Sequence, residues 1–243
     1  MRSSIVTNLS CGAVLCGTER VGQLRPDWFD RQHWIQTGAR EHTSTGRTTV
    51  LIAARDAETW VLRHYCRGGF VARFVDDHYW WFGLERTRAF LEWQLLEKLT
   101  EWNLPAPVPV AACVRRVGFL YQADIITKFL PDTRTLSAYL REDSVGEETW
   151  RNIGRMVREF HDRGVCHPDL TAHNILLNSA GKPFLVDFDS ARIRPAGQWQ
   201  RRGISRLQRS LRKVALETGA SFDPEAWHVL VAAYDAFAVQ RSS

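Results

Sequence analysis

The sequence predicts an α+β fold in two lobes, β-rich first and helical second. Before residue 130, short runs of β-branched and aromatic residues alternate with turn-forming residues; after it, apolar positions recur at helical spacing. Where the helical half begins, His167-Pro168-Asp169-Leu170-Thr171-Ala172-His173-Asn174 is followed by a short apolar strand and Val186-Asp187-Phe188-Asp189. Residues 1–130 are therefore expected to form an N-lobe, with an irregular or extended lead-in over 1–30, and residues 131–243 a C-lobe.

Taken in order, Val50–Ala54 and Thr59–Arg63 read as a hairpin turned at 55–58. Ahead of it, His42–Thr49 is a small polar loop around Gly46 and Thr48, whose backbone N–H groups are candidates for closing over phosphates. From Leu84 to Trp102 the residues Phe90, Leu91, Leu95, Leu96 and Leu99 recur with helical period, and Glu92 lies on that helix. Pro105, Pro107 and Pro109 end it and lead into strands near 110–114 and 119–129. Pro131-Asp132-Thr133 reads as the link between lobes. Helices follow over 136–141 and 147–163, the second closed by Gly164. Short strands flank the turn at 179–182, and helices over 201–216 and 224–239 complete the chain.

The motifs assign chemistry. Transfer of a phosphoryl group from ATP to a hydroxyl needs one carboxylate to take the proton, and an amide and a second carboxylate to hold Mg²⁺. The spacing H-x-D-L-x-x-x-N, followed by D-F, supplies Asp169 as catalytic base and Asn174 and Asp187 as metal ligands, with His167 supporting the loop. Arg63, on the third strand of the lobe, and Glu92, on the helix after it, are the candidate pair that fixes a cation on the ATP phosphates. Lysine is usual at such a position, and a guanidinium keeps its charge and grips phosphate through two N–H groups. Pro168 stands where protein kinases carry arginine, Asp189 replaces the glycine of D-F-G, and no A-P-E follows. These departures disfavour a phosphoregulated protein kinase and favour a small-molecule or lipid-linked sugar kinase.

Composition narrows the partners. The net charge is +5, mostly from arginine, with 44% hydrophobic and 24% charged residues. No nucleic-acid motif is present and no apolar run approaches the length of a bilayer span. The apolar stretch 9–17 is short and preceded only by Arg2, a poor signal peptide. Five cysteines without a C-x-x-C pair read as reduced thiols that pack as small hydrophobes. Two clusters mix basic and interfacial residues: 63–73 with Tyr79-Trp80-Trp81-Phe82, and Arg201, Arg202, Arg206, Arg209, Arg212 and Lys213 on one helix. The second is either a solvated face or a surface for anionic lipid head groups, with Ile204, Leu207, Leu211 and Val214 turned inward.

The stretches Trp60-Val61-Leu62-Arg63-His64-Tyr65 with Arg67-Gly68-Gly69, Gly164–Leu177, and Val186–Asp189 with Arg192–Pro195 resemble the Kdo kinases of the lipopolysaccharide kinase family. The basic run 206–213 also fits, and the likeness extends from about Trp34 to the C-terminus. The resemblance implies transfer of the ATP γ-phosphate to the 4-hydroxyl of a Kdo residue on a lipid A precursor, with Mg²⁺. It also implies a peripheral enzyme at the cytoplasmic side of the inner membrane, meeting an anionic membrane surface. Pro168 and Thr171 depart from that family's loop without touching its acids. Two alternatives stand beside it: a small-molecule kinase of the aminoglycoside phosphotransferase type, which the arginine clusters oppose, and a non-catalytic pseudokinase, which Arg63 in place of lysine favours.

Overall fold

The computed structural model describes residues 4–9, 12–43, 49–55, 58–66, 77–142, 145–217, 219 and 222–240. The chain divides into two compact units, Met1–Glu101 with Pro107–Phe129 and Trp102–Ala106 with Leu130–Ser243.

The first unit is built on an antiparallel sheet. Its elements are β1 (Ser4–Leu9), β2 (Gly12–Gly17), α1 (Arg31–Gln36), β3 (Arg40–Thr43), β4 (Thr49–Arg55), β5 (Glu58–His64), β6 (Tyr79–Trp80), α2 (Arg88–Glu101), β7 (Pro109–Val117) and β8 (Leu120–Lys128). The strands lie in the order β1-β2-β7-β8-β5-β4-β3, with β6 against β8. Side chains alternate between the two faces. Trp60 and Leu62 turn to one face, where they join Trp28, Phe29, Trp34, Leu51, Ala53 and Ile126 in a buried cluster. The other face receives α2 through its buried Phe90, Trp93, Leu96 and Leu99. The expected hairpin over 50–63 is β4–β5, and the expected helix from Leu84 begins as a 3-10 turn (Leu84–Arg86) before α2.

The irregular lead-in expected over 1–30 is a correction. It contributes β1 and β2, and β2 pairs with β7 through Ala13–Val114 to Cys16–Ala111, about a hundred residues away in sequence. Pairing at that distance leaves no local periodicity to read. Trp28 and Phe29 then cover the sheet, with the Trp34 indole N–H donating to the Trp28 carbonyl at 2.9 Å.

The second unit contains β9 (Thr133–Thr135), α3 (Leu136–Arg141), α4 (Glu147–Asp162), β10 (Val165–Cys166), β11 (Ile175–Asn178), β12 (Pro183–Leu185), β13 (Arg192–Ile193), α5 (Gln198–Glu217) and α6 (Pro224–Gln240). Two small sheets, β12-β11-β9 and β10-β13, bracket the loop of interest. Thr135 caps α3, its hydroxyl accepting from the Ala138 N–H at 3.2 Å. Helix α4 packs on α6 so closely that a Cβ at Gly154 would lie 2.2 Å from the Leu230 carbonyl oxygen. Gly164 ends α4 at φ +73°, a conformation glycine adopts without penalty. A Cβ there would also meet the Arg194 carbonyl oxygen at 2.6 Å, so glycine is required twice over.

Helix α5 buries Leu207, Leu211 and Val214 and exposes Arg201, Arg202, Arg206, Arg209, Arg212 and Lys213. Cys16 and Cys113 pack within the core of the first unit. Among the described residues, no helix is long and apolar enough to cross a membrane.

Candidate active site

In the first unit the candidate phosphate-side cation is held by a carboxylate. Arg63 and Tyr65 are two apart on β5 and its extension, so both side chains emerge on the α2 face. Glu92, only 3% exposed, accepts from the Arg63 guanidinium and from the Tyr65 hydroxyl, the latter at 2.5 Å. The guanidinium also lies over the Tyr65 ring, 4.9 Å from its centroid. Three groups thus fix one another, and a buried carboxylate tolerates its low-dielectric setting because both donors are present. Tyr65 was not singled out in the sequence; the i, i+2 spacing from Arg63 was the signal that could have found it.

The opposite face of β5 carries His64, whose Nδ1 lies 2.7 Å from Asp124 Oδ1 on β8. Asp124 also takes an ion pair from Arg115, and Asp77 stands 3.4 Å from His64 Nε2. The hydrogen bond to Asp124, helped by the charges of both aspartates, raises the His64 pKa against the opposing effect of burial. Gly46 and Thr48, the candidate phosphate-loop residues, lie outside the described residues.

The second unit presents the motif residues. Asp169 and Asp187 are exposed, whereas Leu170, Ala172 and Phe188 beside them are buried. That alternation anchors the loop and leaves its acids outward. The Asn174 side-chain nitrogen donates to the Asp169 carbonyl at 2.8 Å and to its carboxylate at 3.0 Å. Backbone bonds tie the rest: Val186 N–H to the Asn174 carbonyl at 2.9 Å, and Ala172 N–H to the Ser210 hydroxyl of α5 at 3.0 Å.

His167 is buried, donates from Nε2 to the Val186 carbonyl at 3.1 Å and meets the Phe188 ring edge-on at 5.1 Å. Phe188 stacks in turn on Phe160 of α4 at 5.8 Å. Burial pushes the His167 pKa down, opposed by the charge of Asp187, so the ring is a neutral brace. Asp187 itself sits at φ +66°, a region that costs a non-glycine residue about 1 kcal/mol and persists only where its neighbours hold it. Here the neighbours are the bonded Val186 and the packed Phe188.

The donor set fits a hard cation. Both bonds from the Asn174 amide use its nitrogen, which leaves the amide oxygen for a metal, and Asp187 offers a carboxylate. Mg²⁺ asks for only one or two protein oxygens when phosphates supply others. Among the described residues no group of three or more His, Cys, Asp or Glu is placed to hold a metal ion.

Comparison with known proteins identifies the family. The family model for the lipopolysaccharide kinase (Kdo/WaaP) family matches residues 31–234. The chain is 38% identical over 227 residues to a 3-deoxy-D-manno-octulosonic acid kinase of Xylella fastidiosa, covering 92% of this chain and 90% of that one. It is 36% identical to one of Haemophilus influenzae (89% and 93%) and 35% identical to one of Vibrio cholerae (82% and 85%). The solved structure of WaaP in complex with acyl carrier protein matches with a TM-score of 0.56 at 18% identity, covering 84% of this chain and 81% of that one, a likeness of fold. The sheet carrying Arg63, the helix carrying Glu92 and the braced H-x-D-L-x-x-x-N loop therefore have a family: the chain belongs to the lipopolysaccharide kinase (Kdo/WaaP) family.

Proposed function

We propose that this protein transfers the γ-phosphoryl group of ATP to the 4-hydroxyl of a Kdo residue on a lipid A precursor. The observation that carries the reading is near-full-length similarity to three 3-deoxy-D-manno-octulosonic acid kinases, in a chain that keeps Asp169, Asn174 and Asp187 together with the Arg63–Glu92 pair. The exposed Asp169 carboxylate orients the sugar hydroxyl and accepts its proton as the new O–P bond forms. The Asn174 amide nitrogen holds that carboxylate in place while its oxygen, with Asp187, would hold Mg²⁺. A Mg²⁺ ion held by these two residues would supply positive charge against the phosphate oxygens. Arg63, kept extended by Glu92 and Tyr65, grips phosphate oxygens; His167 takes no part in proton transfer and, through its Nε2–H bond, keeps Val186 and Phe188 in place.

The acceptor is anionic and lipid-anchored, so the enzyme works as a peripheral protein at the cytoplasmic side of the inner membrane. The exposed basic face of α5 suits such a surface, at about 1 kcal/mol per engaged arginine or lysine. Incubation with labelled ATP, Mg²⁺ and a Kdo-bearing lipid A precursor tests the reading, with Asp169→Ala as control. Label on the Kdo of the wild-type reaction alone is expected. Label on an aminoglycoside instead, or none on the sugar, would remove it.

A further inference from the structure

The end of the β7–β8 hairpin is apolar where water should dominate. Val117 faces Leu120 across the hairpin, and Leu120 faces Trp80 on β6, so the three form one cross-strand row on a single face. Val117 is 54% exposed and Trp80 62%. Phe119 in the turn is 80% exposed and Phe82, just beyond β6, is 71% exposed. The segments are tied together, the Trp81 N–H donating to the Phe119 carbonyl at 2.9 Å. Beneath the row lies a packed floor: Tyr79 on Tyr121 at 5.4 Å, and the Arg88 guanidinium over Tyr79 at 4.7 Å. The tip is therefore rigidly presented, with its apolar side chains outward.

Charge accompanies it. Arg116 is exposed, its guanidinium over Trp81 at 5.1 Å and bonded to the Gly118 carbonyl at 2.9 Å, and Arg86 is exposed at the foot of the same end. Glu85 is the exposed acid beside them, and Asp77 is engaged by His64, His78 and Gln122. We infer that this hairpin end is a docking surface for an anionic lipid bilayer, its tryptophan and phenylalanines entering the head-group region while the arginines meet lipid phosphates.

Size decides for lipid over a protein partner. Three strands about 4.8 Å apart span only roughly 10–15 Å, well short of the roughly 800 Å² per partner that a stable protein interface covers. A narrow tip carrying indole and phenyl rings beside guanidinium groups matches the bilayer interface, where amphipathic rings are favoured and anionic phosphates attract arginine. The inference deepens the membrane side of the proposed function and rests on that reading for its purpose, but its test needs no acceptor.

The full-length protein is sedimented with vesicles of phosphatidylethanolamine and phosphatidylglycerol, and with vesicles of phosphatidylcholine alone. Binding is expected to the anionic vesicles and to weaken with salt. A Trp80→Ser, Phe82→Ser, Phe119→Ser variant is expected to lose at least about tenfold in partitioning with an unchanged melting temperature. The single Phe119→Asp variant, which alters one fully projecting ring, is expected to weaken binding in the same direction and serves if the triple variant fails to fold. Wild-type indifference to anionic vesicles, or variants that bind like wild type, would overturn the inference. Vesicle binding that the variants lose, in a wild-type protein that phosphorylates no Kdo acceptor, would uphold this surface and defeat the proposed reaction, so the two failures are distinguishable.

Discussion

In the first unit Glu92 is 3% exposed and takes bonds from Arg63 on β5 and Tyr65 just beyond it, whereas in the second unit Asp169 is exposed and bonded by the Asn174 amide five residues on. One carboxylate is buried, closed and dependent on contacts 27 and 29 residues distant; the other is outward, local and held by loop geometry. A buried charge is a structural commitment, because removing either partner strands the other in low dielectric. An outward charge on a braced loop commits little stability and keeps its oxygens for substrate. Stability and chemistry are therefore separable in this protein by residue.

The sharpest test is Asp169→Ala, which removes the base without opening the core. Phosphoryl transfer is expected to fall by roughly 10²–10⁴-fold while stability in urea changes by less than about 0.5 kcal/mol. A large loss of stability would break the contrast. Glu92→Ala is the converse. It removes the buried carboxylate that the Arg63 guanidinium and the Tyr65 hydroxyl share, and denaturant unfolding should show a loss of about 3 kcal/mol, with activity falling as a consequence.

The units also differ in how they hold histidine. Burial, aided by the charge of Arg158, pushes the His161 ring of α4 down to about 4; the ring is 5% exposed and bonded to the Tyr234 hydroxyl at 2.8 Å. His167 is lowered in the same direction by burial. As pH falls below about 6.5, the unfolded chain takes up protons that these folded rings refuse, so stability declines toward pH 4, by about 3 kcal/mol for His161. His64 in the first unit has a raised pKa, so its contribution is complete below about pH 6.5 and is lost only as pH rises through that higher value. Hydrogen exchange compared between about pH 7 and about pH 5 should therefore show the second unit loosening first on acidification. Loosening of the first unit ahead of the second would contradict this. The smallest expected effect is Tyr65→Phe. Losing the Tyr65 bond to Glu92 should cost about 1 kcal/mol and raise the KM for ATP modestly, with kcat nearly unchanged.

Much of this was legible because it was local. The motif 167–174 lies on one loop, so residue types and spacing alone singled out Asp169 and Asn174; the 3.0 Å bond between their side chains came from the structure. Helix α3 was readable to its ends from apolar period alone, and the end of α4 from Gly164. The Arg63–Glu92 bond was read from the order strand then helix, and is formed. The lead-in was not legible. Its β2 is set by its partner β7, on which β1 follows through β2, and its Trp28 by a sheet face assembled from four distant segments.

What the amino-acid order determined by itself was therefore the acids, the amide, the elements that carry them and their sequence in the chain, since each depends on neighbours within a few turns or strands. Tertiary structure alone decided that Tyr65 joins Arg63 on Glu92, that Asp187 is held at positive φ by a bonded Val186 and a packed Phe188, and that Trp80, Leu120 and Val117 fall in one row. The reason is physical: register across strands and burial against a distant helix are set by the whole chain's packing, which no window of sequence contains.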